Sequence, residues 1–272
     1  MESPPPSTLA LLLPRSARQF LRRAAFGFDG LIGGRRLPER VLLGLLGQYY
    51  ASRFRFQWQW SEEPPHFYDH RIGFFDLGFG RSASGPYPYS RGFFSSEVIR
   101  EGDVLLDVGC GDGFFARRFF ARRCSHVDAI DVEPSAIATA RAANPAPNVA
   151  YHLLDATTAD FPRPHYDVVV WDGALGHFAP DTTARMLEKI HRAIEGGGIC
   201  VGSESLGREG SDHLQFFESL EDLHRLFAPL FKHVRLRAVE YKLGDGFLRR
   251  EAFWRCTDDE ARLQDGQWRD FA

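Results

Sequence analysis

The residues best suited to chemistry are a run of glycines and aspartates near the middle of the chain. Residues 104–115 read VLLDVGCGDGFF, so an apolar run enters a turn with glycine at alternate positions. Glycine adopts backbone conformations that other residues avoid, and it lets a ligand approach the main chain closely. We therefore predict a ligand-binding turn between a buried strand and a helix.

The charges beside this turn indicate which ligand it favours. The dinucleotide fingerprint G-x-G-x-x-G would require glycine at position 114, where Phe114 stands. Asp107 and Asp112 put negative charge where a pyrophosphate would have to lie. Because like charges repel, the turn suits a cationic ligand better than a diphosphate.

Two further acids follow the next two predicted strands. Asp131 ends the second strand, where a carboxylate can accept hydrogen bonds from both ribose hydroxyls. The alternative is that Asp131 caps the helix that begins near Pro134. Asp155 follows the third strand and precedes Ala156, so its carboxylate can accept from an adenine amino group while the small alanine lets the ring lie flat. The alternative is that Asp155 is an ordinary loop residue.

Residues 103–205 resemble the core of the class I S-adenosylmethionine-dependent methyltransferases, and DVGCGDG at 107–113 is similar to the first motif of that family. The resemblance implies a seven-stranded sheet with one reversed strand and S-adenosylmethionine as the cofactor. It also implies a ribose contact for Asp131 and an adenine contact for Asp155. The residues predicted to bind the cofactor are Asp107, Gly109, Cys110, Gly111, Gly113, Asp131, Val132, Asp155, Ala156 and Asp172.

The loop after the fourth predicted strand should border the reacting centre. Ligands of open α/β sheets lie outside the carboxyl ends of the strands, near the point where the strand order reverses, and strands one and four flank that point. In the loop DGALGHF at 172–178, His177 is the first candidate general base. A neutral imidazole near pH 7 can take a proton from the acceptor as the new bond forms. The alternative is a histidine that caps the helix near Pro180 or packs beside Phe178.

The loop after the fifth strand supplies further candidates. Residues 203–217 read SESLGREGSDHLQFF, and their glycines and charges indicate a mobile active-site loop. His213 is the second candidate base or a substrate hydrogen bonder, and Glu204 can reach the acceptor from the same side. Glu204, His213 and Asp172 could together bind a divalent cation, but their spacing is too scattered to predict a metal site. Without a base, the loop suits an amine acceptor that arrives deprotonated.

Hydrophobic patterning predicts the elements that position these residues. Short β-rich runs alternate with helical runs after position 103, which is typical of an α/β, doubly wound, mostly parallel, Rossmann-like sheet. A closing hairpin around the Gly-Asp-Gly turn at 244–246 predicts an antiparallel strand at the far side of the sheet. The predicted strands are 103–108, 127–131, 149–154, 167–171, 198–204, 232–240 and 247–256, and the predicted helices are 113–122, 134–143, 181–195 and 218–228.

The start of the chain has a different pattern. Apolar residues at helical spacing predict short helices at 15–28 and 38–52. The stretch 54–94 is rich in aromatic residues, and its glycines and prolines argue against long regular elements. It could be a lid or the wall of an acceptor pocket, or its aromatic rings simply pack the extension on the core. The predicted domains are an N-terminal helical and aromatic extension at 1–94, a cofactor-binding domain at 95–260 and a tail at 261–272.

Charge and cysteine content limit the partners. The net charge of −3 gives no overall basic field, which disfavours nucleic acid as a partner. The first 60 residues differ, with nine arginines against three acids. Arginines on amphipathic helices more often form a solvated face than a surface that binds an anionic membrane or a lipid-linked acceptor. Four dispersed cysteines favour a reducing cytoplasm over a disulfide framework or a structural zinc site, and no run approaches the roughly 18 apolar residues of a membrane span.

The sequence therefore predicts a cytoplasmic S-adenosylmethionine-dependent methyltransferase with a small-molecule acceptor. The predicted methyl acceptor is a hydroxyl of a sugar or another small metabolite, including a lipid-linked glycan, with His177 or His213 as the base. Two alternatives stay open: a catalytically silent S-adenosylmethionine-binding partner subunit and an N-methyltransferase. No asparagine-proline-proline-tyrosine type signature occurs, which disfavours DNA N-methylation. The sequence predicts neither the oligomeric state nor a bound metal.

Overall fold

A computed structural model of the chain describes residues 87–208, 213–242 and 248–263, together with Val41 and Leu45. The chain divides into two compact units, Met1–Arg53 and Phe54–Ala272. In the first unit, Val41 and Leu45 are exposed helical positions. The rest of the predicted helices at 15–28 and 38–52 lies outside the described residues, as does most of the aromatic stretch.

The second unit alternates strands and helices in the order that the sequence predicts. Its strands are β1 (Val104–Val108), β2 (His126–Asp131), β3 (Val149–Leu153), β4 (Val168–Trp171), β5 (Ile199–Ser205), β6 (His233–Lys242) and β7 (Leu248–Thr257). Its α-helices are α1 (Tyr87–Ser96), α2 (Pro134–Ala143), α3 (Pro180–Ala193) and α4 (Leu220–Phe227). A π-helix (Ala116–Phe120) and two 3₁₀ helices (Leu175–His177 and Glu260–Leu263) complete the described elements.

The seven strands form one sheet in the order β3-β2-β1-β4-β5-β7-β6. Strands β1 to β5 pair in parallel, whereas β7 runs antiparallel to both β5 and β6. The predicted α/β class, the strand count and the single reversed strand are therefore confirmed. The strand order reverses between β1 and β4, and a ligand of such a sheet binds beside the carboxyl ends of these two strands.

The core lies on both faces of the sheet because side chains of a strand alternate between faces. Leu105 of β1 packs in the cluster covered by α2 and the π-helix, and its neighbour Leu106 packs in the cluster covered by α3 and α4. All four residues of β4 are buried, as expected for a central parallel strand. Helix α3 buries one stripe at helical spacing, formed by Thr183, Met186, Leu187, Ile190 and Ala193.

Capping residues fix where two of the helices begin. Helix α2 starts at Pro134, and the Glu133 side chain accepts a hydrogen bond from Ser135 N at 3.0 Å. Helix α4 starts after Ser219, which forms a capping box with Asp222: Ser219 N donates to Asp222 Oδ2 at 3.0 Å, and Asp222 N donates to Ser219 Oγ. These local interactions explain why the helix starts were predictable from the sequence.

Helix α1 lies at the end of the aromatic stretch, where the sequence argued against long regular elements. This expectation is wrong for residues 87–94, which belong to the ten-residue helix Tyr87–Ser96. Aromatic packing stabilises this helix. The ring centroids of Phe93 and Phe119 are 5.3 Å apart, and those of Phe94 and Phe253 are 4.3 Å apart. Gly92 permits this contact, because a Cβ at that position would lie 2.6 Å from Phe119.

The last described residues pack against the sheet. Leu263 is buried, and Arg262 donates hydrogen bonds to Asp103 Oδ2 at 3.2 Å and to the Asp167 carbonyl at 2.9 Å. These contacts attach residues 260–263 to the strand starts of β1 and β4. Among the helices that the structure describes, none is both long enough and apolar enough to cross a membrane.

Replacing Leu187 by alanine should lower the free energy of unfolding by about 2–5 kcal/mol, because its fully buried side chain leaves a cavity behind. Leu248→Ala is the matched control: Leu248 is 50% exposed, so its loss should change stability by less than about 0.5 kcal/mol. Urea unfolding of both variants measures the difference. Equal losses in the two variants would contradict the core position of Leu187.

Candidate functional site

The glycine turn lies at the carboxyl end of β1 and is held against β2. Gly109 N and Cys110 N both donate to the Ile130 carbonyl, at 2.9 and 3.0 Å. Gly113 has a φ of +73°, and a Cβ there would lie 2.6 Å from the hydroxyl of Tyr151. Glycine is therefore required at this position by both backbone conformation and space.

Asp131 lies beside the turn at the end of β2. Its Oδ2 accepts a hydrogen bond from Gly111 N at 2.8 Å, and its Oδ1 accepts one from Glu133 N at 2.9 Å. Burial raises the pKa of this carboxyl, although the backbone hydrogen bonds act to lower it. The structure thus brings Asp131 and the glycine turn together, while Glu133 caps α2. The ribose contact of Asp131 stays a prediction.

An apolar surface lies at the carboxyl ends of β2 and β3. Val132, which the sequence predicts to bind the cofactor, is 65% exposed. Leu153, which was not among the predicted cofactor-binding residues, is 54% exposed. Leu153 is paired with Asp131 in the sheet register. Large apolar side chains exposed at the ends of two neighbouring strands offer a flat surface on which a planar ring can stack.

Asp155 and Ala156 follow β3. Asp155 Oδ1 accepts hydrogen bonds from the Thr157 amide at 2.9 Å and the Thr157 hydroxyl at 2.7 Å, which lower the pKa of this carboxyl. Ala156 is buried, and its carbonyl accepts a hydrogen bond from Lys189 Nζ at 2.9 Å. The loop is therefore anchored to α3, and the adenine contact of Asp155 stays a prediction.

Two buried carboxylates flank the point where the strand order reverses. Asp107, in β1, is 4% exposed, and the side chain of Asp172, directly after β4, is 6% exposed. One oxygen of each, Oδ2, accepts no hydrogen bond from the described residues. Burial, followed by repulsion from Asp172 and Asp131, raises the pKa of Asp107 to about 8. Buried polar atoms normally have partners, so a cation or hydrogen-bond donor would fit here.

Asp172 belongs to an ionic network that joins α1 to three strands. Its Oδ1 accepts hydrogen bonds from Arg91 Nε at 3.2 Å and from Ser203 Oγ. Ser203 Oγ also contacts Glu251 Oε1 at 3.1 Å, and Arg249 Nε lies 3.0 Å from Glu251 Oε2. Glu251 is fully buried, which raises its pKa although both arginines act to lower it.

The sequence analysis missed Arg91, Ser203, Arg249 and Glu251. Arg91 lies 81 residues from Asp172 and 112 from Ser203, so their contact is not visible in any local pattern. The one sequence signal was an acidic residue directly before the apolar run Ala-Phe-Trp at 252–254 of a predicted strand, at Glu251. A buried charge of this kind predicts a partner without naming it.

The two candidate bases lie together, although they come from different loops. The ring centroids of His177 and His213 are 4.5 Å apart, and the ring planes make an angle of 78°. His177 ends the 3₁₀ helix Leu175–His177 and is exposed to solvent, whereas His213 is half-buried. Leu214 and Phe216 beside them are 65% and 40% exposed. An imidazole in such a pair can receive a proton from an acceptor.

Glu204 does not face this acceptor side, contrary to the expectation from sequence. It is 3% exposed, and its Oε2 accepts a hydrogen bond from Gly176 N at 2.8 Å. Within the described ranges, no three His, Cys, Asp or Glu side chains are grouped to hold a metal ion.

Part of the chain is similar in sequence to known methyltransferases. Residues 105–198 match a family model described as a methyltransferase domain. Uncharacterized methyltransferases of Mycobacterium tuberculosis and Mycobacterium bovis are 34% identical over 94 residues, covering 35% of this chain and 46% of each relative. The chain therefore spans a little under half of the length of these relatives.

Two more distant similarities extend further along the chain. Carboxy-S-adenosyl-L-methionine synthase of Dichelobacter nodosus is 24% identical over 174 residues, covering 56% of this chain and 73% of that protein. The crystal structure of the N-methyltransferase NodS of Bradyrhizobium japonicum, in complex with S-adenosyl-L-homocysteine, aligns with a TM-score of 0.50 at 16% identity. It covers 64% of this chain and 89% of NodS, and at this identity it shows the fold alone.

Asp107→Asn should flatten the pH dependence of stability between about pH 4 and pH 8. Over this interval the folded chain keeps the Asp107 proton, because its pKa is about 8, whereas the unfolded chain has released it, with a pKa near 3.8. This group's contribution to stability is therefore complete below pH 3.8 and is lost as the pH rises through 8. Asparagine resembles the neutral carboxyl but does not titrate.

Urea unfolding of the ligand-free protein at a series of pH values measures this slope. The matched control is Asp160→Asn, since Asp160 is exposed and should leave the wild-type slope unchanged. A slope that is the same in Asp107→Asn and in the wild type would show that Asp107 is ionised throughout.

Proposed function

We propose, from the premise that residues 105–198 form a class I S-adenosylmethionine-dependent methyltransferase domain, that this chain methylates a small molecule. The observation that carries the proposal is the pair of buried carboxylates, Asp107 and Asp172, where the strand order reverses. Each has an oxygen that no described group satisfies. A positively charged ligand would stabilise both carboxylates in this low-dielectric setting.

The residues around the turn fit S-adenosylmethionine. The glycine turn would allow close approach of the ligand to the main chain, and Asp131 would accept hydrogen bonds from the ribose hydroxyls. Val132 and Leu153 would stack on adenine, with Asp155 at its edge. Cys110 and Ala156, both buried, would line the same surface. When bound, S-adenosylmethionine supplies an electrophilic methyl carbon on a positively charged sulfur.

The acceptor side would be served by the two histidines. We assign His177 as the base that takes the proton of the acceptor hydroxyl, because it is the more exposed of the pair and can pass the proton to solvent. His213 is the alternative base. General-base assistance of this kind contributes about 10²–10⁴ in rate, whereas positioning contributes up to about 7–11 kcal/mol.

The proposed acceptor is a hydroxyl of a sugar or another small metabolite. Asp172, whose Oδ2 accepts no hydrogen bond from the described residues, would disfavour an anionic acceptor, since like charges repel in a buried setting. The net charge of −3 likewise gives no reason to propose nucleic acid. The four cysteines are buried free thiols, which suits the cytoplasmic location proposed for the reaction. A membrane role for the basic N-terminal residues is not favoured.

One experiment tests the proposed activity directly. The purified chain is incubated with a metabolite extract and S-adenosylmethionine carrying a ¹³C-methyl group. We expect S-adenosylhomocysteine to accumulate and one small product to gain the label, and its NMR spectrum identifies the methylated atom. Tight cofactor binding without turnover in any fraction would instead indicate a catalytically silent partner subunit. A labelled nitrogen would indicate an N-methyltransferase.

Asp131→Ala should raise the dissociation constant of S-adenosylhomocysteine about tenfold or more, because charge-assisted hydrogen bonds contribute about 1.5–3 kcal/mol. Isothermal titration calorimetry measures the change, with Asp160→Ala as the exposed control. Circular dichroism checks that the variant still folds. Wild-type affinity in a folded Asp131→Ala variant would remove Asp131 from the cofactor site.

His177→Ala should lower turnover about 10²-fold or more and leave cofactor affinity close to the wild-type value, since a base acts on the acceptor. The control is His165→Ala, because His165 is an exposed loop histidine before β4. Initial rates with the active extract fraction, together with calorimetry, separate the two effects. Normal turnover in His177→Ala would transfer the role to His213 or to no base at all.

A further inference from the structure

Glu204 is a buried carboxylate with no part in the proposed transfer. It lies near the carboxyl end of β5 and is 3% exposed. Its Oε2 accepts a hydrogen bond from Gly176 N at 2.8 Å, and its Oε1 accepts one from Ser205 N at 2.9 Å. A carboxylate is an acceptor through both oxygens, so it satisfies two N–H donors that no neutral side chain of this shape could satisfy together.

Gly176 connects Glu204 to both histidines. Its N–H donates to Glu204, and it directly precedes His177. Its carbonyl accepts hydrogen bonds from Leu214 N at 2.8 Å and Gln215 N at 3.3 Å, the residues that follow His213. A Cβ on Gly176 would lie 2.6 Å from Nδ1 of His213, so the imidazole rests directly against this residue.

The 3₁₀ helix that carries His177 needs such an anchor. It has three residues, and its own backbone bonds are long: His177 N to the Ala174 carbonyl at 3.2 Å and Phe178 N to the Leu175 carbonyl at 3.3 Å. Hydrogen bonds to a charged group are shorter and stronger than neutral ones. The bond from Gly176 N to Glu204 therefore attaches this segment to β5, together with the backbone bond from Gly173 N to the Ser203 carbonyl at 2.7 Å.

We propose that Glu204 is a positioning residue that holds His177 and His213 in one fixed arrangement, acting through Gly176. This inference rests on the proposed function, in which one of the two imidazoles is the base. A base must lie within hydrogen-bond reach of its proton, and a misplacement of about 1 Å can cost about 10²-fold in rate. In this arrangement Glu204 fixes the positions of both histidine rings relative to β5.

NMR spectroscopy of the ligand-free protein tests the positioning without any acceptor. Histidine labelled with ¹³C and glycine labelled with ¹⁵N report the ring protons and the Gly176 amide, and the His177→Ala and His213→Ala variants assign the rings. In the wild type we expect a nuclear Overhauser effect between the two rings and a downfield Gly176 amide. Glu204→Gln should lose both, because its amide group directs a donor at one of the two N–H groups.

Glu188→Gln is the matched control, since Glu188 is exposed on α3 and undergoes the same chemical change. It should keep both signals. If Glu204→Gln fails to fold, Glu204→Asp replaces it, because the shorter carboxylate cannot reach both Gly176 N and Ser205 N and should weaken the same ring contact, whereas an unchanged ring contact would again overturn the proposal. Retention of the ring contact in a folded Glu204→Gln variant would overturn the proposal.

Kinetics with the active extract fraction test the consequence for catalysis. Glu204→Gln should lower the maximal rate about tenfold or more and leave the dissociation constant of S-adenosylhomocysteine within about twofold of the wild type. In the His177→Ala background the same substitution should change the rate by less than about twofold, because residues that act as a unit are not additive.

The outcomes separate this inference from the proposed function. Full additivity of the two substitutions would overturn the positioning role while leaving the transfer intact. A wild type that never binds S-adenosylhomocysteine or transfers a methyl group would overturn the proposed function, and the NMR measurement would still decide whether Glu204 holds the two rings.

Discussion

The burial of neighbouring carboxylates is the constraint on which the site depends. Asp107 lies near the carboxyl end of β1, Asp172 directly follows β4, and Glu251 lies near the amino end of the antiparallel strand β7. Burial raises the pKa of Asp107 and of Glu251. Burying charges without partners costs several kcal/mol for each ion. The chain offsets this cost with Arg91, Arg249 and Ser203, yet one oxygen of Asp107 and one of Asp172 stay without a described partner. A positively charged group beside these two oxygens would therefore stabilise both carboxylates.

The network also explains why α1 belongs with the sheet. Arg91 reaches Asp172 and Ser203 from a helix that precedes β1 in the chain, and Phe93 and Phe94 of the same helix pack on Phe119 and Phe253. The apolar contacts hold the helix in place, and this position brings the Arg91 guanidinium to Asp172 and Ser203. The packing of α1 thus places a positive charge beside Asp172, which lies 81 residues away from Arg91 in the chain.

Local patterns made much of the fold predictable. The glycine turn, the strand that enters it and the capped helices are each encoded within a few residues, as with Glu133 and Ser135 or Ser219 and Asp222. The positions of Asp107, Asp131 and Asp172 follow from the rule that strand ends meet at one edge of a parallel sheet.

The rest of the site depends on tertiary contacts that no local pattern contains. Ser203 faces Asp172 only because β5 lies beside β4, and Glu251 joins them only because β7 is inserted between β5 and β6. Glu204 was expected to face the acceptor, but alternation along β5 directs it to the backbone of Gly176. Helix α1 formed where glycines and prolines argued against it, because aromatic packing outweighed local propensity.

The place of β7 in the sheet has a consequence for biosynthesis. This strand is the last of the seven to leave the ribosome, and it fills the gap between β5 and β6. Until it arrives, Ser203 lacks Glu251 and the outward edge of β5 has no neighbour. A nascent chain can therefore pair β1 to β5 early, but it exposes an open strand edge to other chains until Thr257 has left the ribosome.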